Sequence, residues 1–210
     1  MFVNKNKKQM EIIIKEHTFL SELLNDEIVV VDLGACRGEF VNELNKVFKI
    51  KKAILVEANP TNFNFLSDKD NYVLYNMAIS KNDNETISFY EDLKSPYNGS
   101  KIFNYFNGFE HKIETITLET LMKKNDIDYI DILKIDIEGS EYDILPNISD
   151  ECFSKIKQIT VEFHDFIDNS LKSKTQEIIN KLEKLGFERI SKGIKYMNNS
   201  DNYDVLFYKK

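Results

Sequence analysis

The sequence has 210 residues, of which 42% are hydrophobic and 30% charged, the balance of a globular protein rather than of a disordered chain. The cysteines Cys36 and Cys152 stand far apart and indicate neither a disulfide framework nor a zinc site. The net charge of -7 argues against nucleic acid as a partner, since phosphate backbones require a basic face. No apolar run approaches the roughly twenty residues of a membrane helix, so we expect a soluble cytoplasmic protein without a membrane span.

The length predicts a single domain over residues 1–210. The first predicted element is an amphipathic helix at Met10–Leu24, inside an N-terminal helical segment 1–27, because apolar residues recur there among Lys and Glu. A β-α-β-α-β pattern follows. Its strands are predicted at Ile28–Asp32, Ala53–Glu57 and Tyr72–Ala78, with helices near Phe40–Phe48 and Thr61–Ser67 between them.

The alternation of strands and helices breaks between residues 80 and 117, which we interpret as an insertion. Thr86–Tyr90 and Ile113–Leu118 are predicted to form a β-ribbon around the long loop Glu91–His111. The aromatic, Asn and Ser residues of Ser95–Phe106 suggest a lid over a substrate, and a loop anchored by its aromatic residues in the core is the alternative.

After the insertion the strand pattern returns. The remaining predicted elements are strands at Ile130–Asp136, Ile156–Phe163, Phe187–Ile190 and Tyr203–Tyr208, and a helix at about Thr175–Leu185. These patterns predict a Rossmann-like α/β fold with a mostly parallel, seven-stranded sheet, helices on both faces and room for an antiparallel last strand. Ligands of such folds bind at the carboxyl ends of the strands.

A glycine-bearing turn follows the first predicted sheet strand, which ends at Asp32. Its small residues are Gly34, Ala35 and Gly38. The dinucleotide pattern Gly-x-Gly-x-x-Gly is not fulfilled, because Cys36 and Glu39 stand where glycines would be required. The negative charges of Asp32 and Glu39 would repel a diphosphate and attract a ligand that carries an ammonium and a sulfonium.

A second acid, Glu57, ends the next strand 19 residues after Gly38, close to the spacing at which Rossmann-type sheets place a carboxylate on a ribose diol. These features together indicate a ligand that contains adenosine and carries positive charge, and we predict that it is S-adenosylmethionine. Further candidate cofactor-binding residues are Ala58, Asn59, Met77, Ala78 and Asp136. Asn59 is also a helix cap ahead of Pro60, and core packing explains Met77 and Ala78 equally well.

The candidate catalytic residues are Asp136, Glu138 and His164, at the carboxyl ends of the two following strands. A base that removes a proton from a hydroxyl would contribute roughly 10² to 10⁴-fold to the rate. His164 is either such a base or a solvated loop residue, and Glu141 is a possible helix cap. A divalent ion held by Asp136 and Glu138 with Glu162 or His164 is the alternative, and we assign no metal ligand.

The sequence resembles the FkbM family of methyltransferases from about Val29 to Asp165. The motifs that carry the resemblance are Val30–Gly38, Val56–Pro60, Asn76–Ala78, Glu114–Leu118, Leu133–Glu141 and Val161–His164. The resemblance implies a Rossmann-like fold, S-adenosylmethionine as donor, and O-methylation of a small-molecule acceptor such as a sugar or polyketide-like compound. An NAD(P)-dependent oxidoreductase and a non-catalytic S-adenosylmethionine-binding interaction protein are the alternatives.

Overall fold

The computed structural model describes residues 11–66, 70–91, 99–100, 108–166, 168–192 and 204–210. The strands are β1 (Glu11–Ile14), β2 (His17–Leu20), β3 (Glu27–Leu33), β4 (Lys49–Val56), β5 (Tyr72–Tyr75), β6 (Ala78–Ile79), β7 (Thr86–Glu91), β8 (Gly99–Ser100), β9 (Phe109–Ile116), β10 (Ile130–Ile135), β11 (Ile156–Glu162), β12 (Glu188–Lys192) and β13 (Asp204–Tyr208). The α-helices are α1 (Glu39–Leu44), α2 (Pro60–Phe63), α3 (Leu118–Lys124), α4 (Glu141–Ile144), α5 (Asp150–Ser154) and α6 (Lys172–Lys184).

The main sheet has seven strands in the order β12-β13-β11-β10-β3-β4-β5. The five strands from β11 to β5 are parallel, and β13 pairs antiparallel with both β11 and β12. Every residue of β10 is buried, which fits a parallel strand covered on both faces. The predicted α/β fold with a mostly parallel sheet is thus confirmed, and its antiparallel part consists of the pairings made by the last strand.

Two separate cores cover the faces of the sheet. Helices α3 to α6 supply the larger one, and α6 buries Ile178, Ile179 and Leu182 on one side as an amphipathic helix. The β1–β2 hairpin and α1 supply the other, in which Phe19 and Phe40 pack. Among the described helices, none combines the length and hydropathy that crossing a bilayer requires.

The helix predicted for Met10–Leu24 is wrong, because residues 11–20 form an antiparallel hairpin and Ser21–Leu23 a short 3-10 turn. Lys15 and Glu16 make the two-residue turn with positive φ angles of 48° and 71°. All four residues of β2 are buried, and β2 lies against β11 and β13. Burial on both sides of β2 therefore outweighs the helical spacing of the apolar residues.

The third predicted strand, Tyr72–Ala78, is divided in the structure. β5 ends at Tyr75 in the main sheet, whereas β6 begins at Ala78 and pairs with β9 in a separate sheet of order β6-β9-β7-β8. The two helices of this region are shorter than predicted, since α1 ends at Leu44 and α2 at Phe63.

The inserted ribbon consists of β7 and β9, which pair antiparallel from Thr86–Glu114 to Glu91–Phe109. The ribbon stands beside the carboxyl ends of β4 and β5, because β6 continues from β5 into the second sheet. The predicted lid Ser95–Phe106 lies outside the described residues apart from the backbone of β8.

Candidate active site

A cleft of about 680 Å³ opens at the carboxyl ends of β3, β4 and β10 and is bordered by the ribbon. Its polar lining comes from Glu57, Asn59, Asp136 and Glu138. Its apolar lining includes Val56, Ala58, Met77, Ala78, Ile79, Ile87 and Phe89. The structure therefore brings predicted cofactor residues and predicted catalytic residues into one cavity, at the edge where α/β sheets bind ligands.

The glycine turn forms the floor of this cleft. Gly34 has a φ of +78°, and a Cβ atom on it would lie 1.7 Å from the backbone oxygen of Asp136. Only glycine allows the turn after β3 and the loop after β10 to approach this closely. The other two predicted turn residues have structural roles. Ala35 packs in the core beside α1, and Gly38 precedes α1 with a φ of +75°.

Glu57 is held by the backbone at the end of β4. Its Oε2 accepts the Cys36 amide at 2.6 Å, and its Oε1 accepts the Asn59 amide at 2.7 Å. Burial raises the pKa of this carboxyl to about 7. The two amide hydrogen bonds act in the opposite direction, and burial outweighs them. Each oxygen keeps a second lone pair, so the carboxylate remains able to accept hydrogen bonds from a diol.

Asn59 has an amide donor that lacks a standard hydrogen-bond partner. Its Oδ1 caps α2 by accepting the Thr61 amide at 2.8 Å, which turns Nδ2 the other way. Asn59 is 2% exposed and lines the cleft, and its Nδ2 has no hydrogen bond of standard geometry within the described chain, although the amide interacts with Glu91. A buried donor of this kind is costly unless a ligand supplies an acceptor.

The apolar wall combines predicted and unpredicted residues. Ala58, Met77 and Ala78 line the cleft as expected. Ile87 and Phe89 of β7 face them from the ribbon, and sequence analysis did not identify these two residues because the packing of the ribbon against β4 and β5 was not foreseen. Together they form an apolar wall, and apolar walls of this kind are typical of small-molecule sites.

Asp32 does not reach the cleft surface. Its side chain is fully buried, with Oδ1 3.2 Å from the Lys134 ammonium. Burial raises the pKa of Asp32, and the ammonium opposes that rise. The predicted contact between Asp32 and a cationic ligand therefore has no support in the geometry, since the charge of Asp32 faces a buried lysine instead.

Asp136 and Glu138 lie in the loop after β10 rather than on the strand. Glu138 has a φ of 52°, in the left-handed region, and this conformation directs the chain around the turn into α4. Burial raises the pKa of Glu138 to about 7, with His164 lowering it and Asp136 raising it further. For Asp136, burial is outweighed by Lys134, and the pKa lies below its ordinary value.

His164 is surrounded by carboxylates. Its Nδ1 lies 2.8 Å from Glu141 Oε1, and its Nε2 lies 3.5 Å from Glu138 and 4.0 Å from Asp136. Burial alone would lower the pKa of His164, but the carboxylates of Glu141 and Glu138 raise it to about 10. These carboxylates therefore favour the protonated imidazolium of His164 over the neutral imidazole that a general base requires. Glu141, which also accepts the Gly139 amide at 3.0 Å, holds His164 as well as the turn before α4.

Among the described residues, two groups of side chains place ligand atoms within 4.8 Å of one another, as a metal ion would require. One contains Asp136, Glu138 and His164, and the other contains His17, Asp136 and Glu162. His17 was missed in the sequence because it belongs to the hairpin that was predicted as a helix. Its Nδ1 lies 3.6 Å from Asp204 Oδ1 on β13.

Comparisons with known proteins agree with this geometry. Residues 32–189 match the family described as methyltransferase FkbM domain. The fold resembles that of the methyltransferase FkbM from Methylobacillus flagellatus KT with a TM-score of 0.55 and 19% identity, over 90% of this chain and 45% of that one. It also resembles an rRNA methylase from Streptococcus thermophilus with a TM-score of 0.53 and 14% identity, over 90% of both chains.

Over 94 residues, 45% of this chain, the sequence is 27% identical to the AMB antimetabolite synthetase AmbE of Pseudomonas aeruginosa. The aligned part covers 4% of AmbE, so this chain corresponds to a small portion of that protein. The family match extends over most of the chain, from the end of β3 into β12. This protein belongs to the FkbM methyltransferase family.

Proposed function

We propose that this protein is an S-adenosylmethionine-dependent methyltransferase that modifies a hydroxyl group of a small molecule such as a sugar. The observation that carries the proposal is the arrangement of one cleft. Glu57 and the buried Asn59 amide lie on one side, and Glu138, a carboxylate with a pKa near neutrality, lies on the other.

The side chains near β4 fit an adenosyl group. The Glu57 carboxylate would accept the ribose hydroxyls, and Asn59 Nδ2 would donate to an acceptor atom of the nucleoside. The apolar wall that includes Ala58 and Phe89 would contact the adenine ring. When bound, S-adenosylmethionine supplies a methyl group on a positively charged sulfur.

Glu138 is the proposed general base. Four charged groups influence its carboxyl: His164 and Lys134 lower its pKa, whereas Asp136 and Glu141 raise it. A pKa of about 7 lets the group be ionised in part at neutral pH and still bind a proton well. With the methyl donor bound, the acceptor oxygen would bond to the methyl carbon while its proton passed to Glu138, and the C–S electron pair would stay on the departing sulfur. Glu138 then releases the proton to solvent, which reaches about a third of its side chain.

His164 and Asp136 support this step without taking the proton. The protonated His164 lies 3.5 Å from Glu138 and restrains that carboxylate. Asp136 stays ionised beside it, and its negative charge favours a cationic methyl donor over a phosphorylated nucleotide. Alignment of the acceptor with the donor accounts for most of the rate enhancement in such a displacement.

Titration calorimetry and a methyl-transfer assay against a panel of sugars and polyols test the proposal. The wild-type protein is expected to bind S-adenosylmethionine and not NAD. Glu138→Gln should reduce turnover by about 10² to 10⁴-fold while cofactor affinity changes by less than about threefold. Glu110→Gln, at an exposed position near the start of β9, is the matched control and should behave as wild type.

Three outcomes would contradict the proposal. If the wild-type protein does not bind S-adenosylmethionine, the cofactor assignment is wrong. If Glu138→Gln has the turnover of the wild type, Glu138 is not the general base. Complete loss of wild-type activity in EDTA, restored by a divalent ion, would replace the side-chain base with a metal held by the Asp136 groups described above.

A further inference from the structure

The buried ammonium of Lys134 lies under the cleft and contacts both of the loops that form its floor. Lys134 Nζ donates to the backbone oxygen of Gly34 at 2.6 Å and lies 3.2 Å from Asp32 Oδ1. It also lies 3.6 Å from Asp136 Oδ2. Gly34 belongs to the turn after β3, and Asp136 to the loop after β10.

The register of the sheet explains the position of this lysine. Lys134 pairs with Asp32 across the neighbouring parallel strands β10 and β3, so both side chains lie on the same face of the sheet. The lysine chain is long enough to extend from that register position to the carboxyl ends of the strands, where Gly34 and Asp136 lie.

The contacts of Lys134 do more than neutralise its charge. Removing a lysine from water is costly, and its three N–H donors need acceptors as well as a counter-ion, which Asp32 supplies at 3.2 Å. The Gly34 oxygen and Asp136 supply the other two contacts. They connect the two backbone segments that approach so closely that Gly34 has no room for a Cβ atom.

We propose that Lys134 is a positioning residue for methyl transfer, whose ammonium fixes the glycine turn and the Asp136 loop relative to each other. This inference rests on the function proposed above. Glu57 is hydrogen-bonded to the Cys36 amide of the same turn, and Glu138 is two residues beyond Asp136. Lys134 thereby sets the distance between the side of the cleft that binds the cofactor and the side that carries the base.

The electrostatics agree with this geometry. Burial acts to lower the pKa of Lys134, but the attraction of Asp32 and Asp136 outweighs it, and the pKa lies above its ordinary value. These contacts therefore favour the charged form of Lys134. Asp32 is then the counter-ion of Lys134 and does not contact the methyl donor.

Four variants test the role of Lys134: Lys134→Met, Asp32→Asn, the double variant Asp32→Asn/Lys134→Met, and Lys157→Met. The single Lys134→Met leaves a buried aspartate unpaired and is expected to lower the melting temperature strongly. The double variant removes both charges and should recover most of that loss. Lys157→Met is the matched control, because Lys157 also lies near a buried aspartate, Asp131, at 3.8 Å, but at the amino end of the strands.

Turnover, cofactor affinity and the pH profile are measured for each folded variant. The double variant should keep its melting temperature near that of wild type and lose about 10²-fold in turnover, the effect of a displacement of about 1 Å at the reacting groups. The acidic limb of its pH profile should move to higher pH, since Lys134 lowers the pKa of Glu138. Asp32→Asn keeps the Lys134 bond to Gly34 and should keep cofactor affinity within about threefold.

The outcomes separate this inference from the proposed function. If wild-type protein neither binds the cofactor nor transfers a methyl group, the proposed function fails. If wild type is active and the folded double variant shows wild-type turnover and an unmoved pH profile, Lys134 is only structural and the positioning role is refuted. A loss of cofactor affinity of more than tenfold in Asp32→Asn would show that Asp32 contacts the ligand, which would overturn its assignment as counter-ion.

Discussion

Replacing Glu57 by Gln should increase the stability of the ligand-free protein relative to wild type, and this difference should grow as the pH rises. Burial raises the pKa of Glu57 from its ordinary 4.5 to about 7. The folded state therefore binds this proton more tightly than the unfolded state, and the stabilisation is complete below about pH 4.5 and lost as the pH rises through about 7. Between about pH 5 and about pH 8 the free energy of unfolding of the wild-type protein should fall by about 2 to 3 kcal/mol relative to that of the variant.

Urea unfolding of both proteins across that pH range measures the difference in the free energy of unfolding. The glutamine retains one acceptor for the two amides that Glu57 satisfies, which costs about 1 kcal/mol at every pH. This cost shifts the curve of the variant without changing its slope. Free energies that stay parallel from about pH 5 to about pH 8 would refute the argument that burial destabilises the ionised carboxylate.

The same substitution should weaken S-adenosylmethionine binding by about 1.5 to 3 kcal/mol, the range for hydrogen bonds to a charged group. Calorimetry would then show a loss of about tenfold or more in affinity, together with higher stability at alkaline pH. A gain in stability at the expense of binding is typical of groups that a fold retains for function. Unchanged affinity would show that Glu57 does not contact the ligand.

Turnover of the wild-type protein should rise with pH as Glu138 ionises around 7 and fall again near 10 as His164 loses its proton; a profile that is flat from about pH 6 to about pH 8 would exclude Glu138 as the base. Gly34→Ala places a Cβ atom 1.7 Å from a backbone oxygen, so it should destabilise the protein by at least about 2 kcal/mol more than Gly186→Ala, which has the same sign of φ and open space around it. Equal melting temperatures for these two variants would contradict the close approach in the cleft floor. Lys15 and Glu16 both have the left-handed conformation that Asn and Gly adopt at lower cost. Changing this hairpin turn to Asn-Gly should therefore raise the free energy of unfolding, measured by chemical denaturation, by about 1 to 2 kcal/mol. A decrease would argue against a two-residue turn.

The parts of the fold that local pattern controls were predictable from the sequence. β3, β10 and β11 are largely buried strands bounded by turns, and their ends differ from prediction by at most one residue. Glu57 and Asn59 were identified because an acid at a strand end and an Asn-Pro helix start have local signatures. In each case the physical cause lies within a few neighbouring residues.

The errors arose where distant segments decide the structure. Residues 11–20 have spacing compatible with a helix, but contacts with β11 and β13, more than a hundred residues away, select the hairpin. The pairing of Asp32 with Lys134 could not be predicted either, because Lys134 lies 102 residues further along the chain. The carboxylates around His164 escaped prediction for the same reason, since Glu141 and Glu138 meet it only in the folded chain.

The placement of β13 has a consequence for the order in which the sheet can form. This strand, Asp204–Tyr208, follows the other described strands in chain order, yet it lies in the interior of the sheet between β11 and β12 with all five residues buried. It also holds the first hairpin in place, since Asp204 accepts a hydrogen bond from the Thr18 hydroxyl at 3.1 Å. Until these five residues have been synthesised and can pair, β11 is unpaired on one side and His17 lacks its contact with Asp204, so native structure on that side of the sheet forms late in folding.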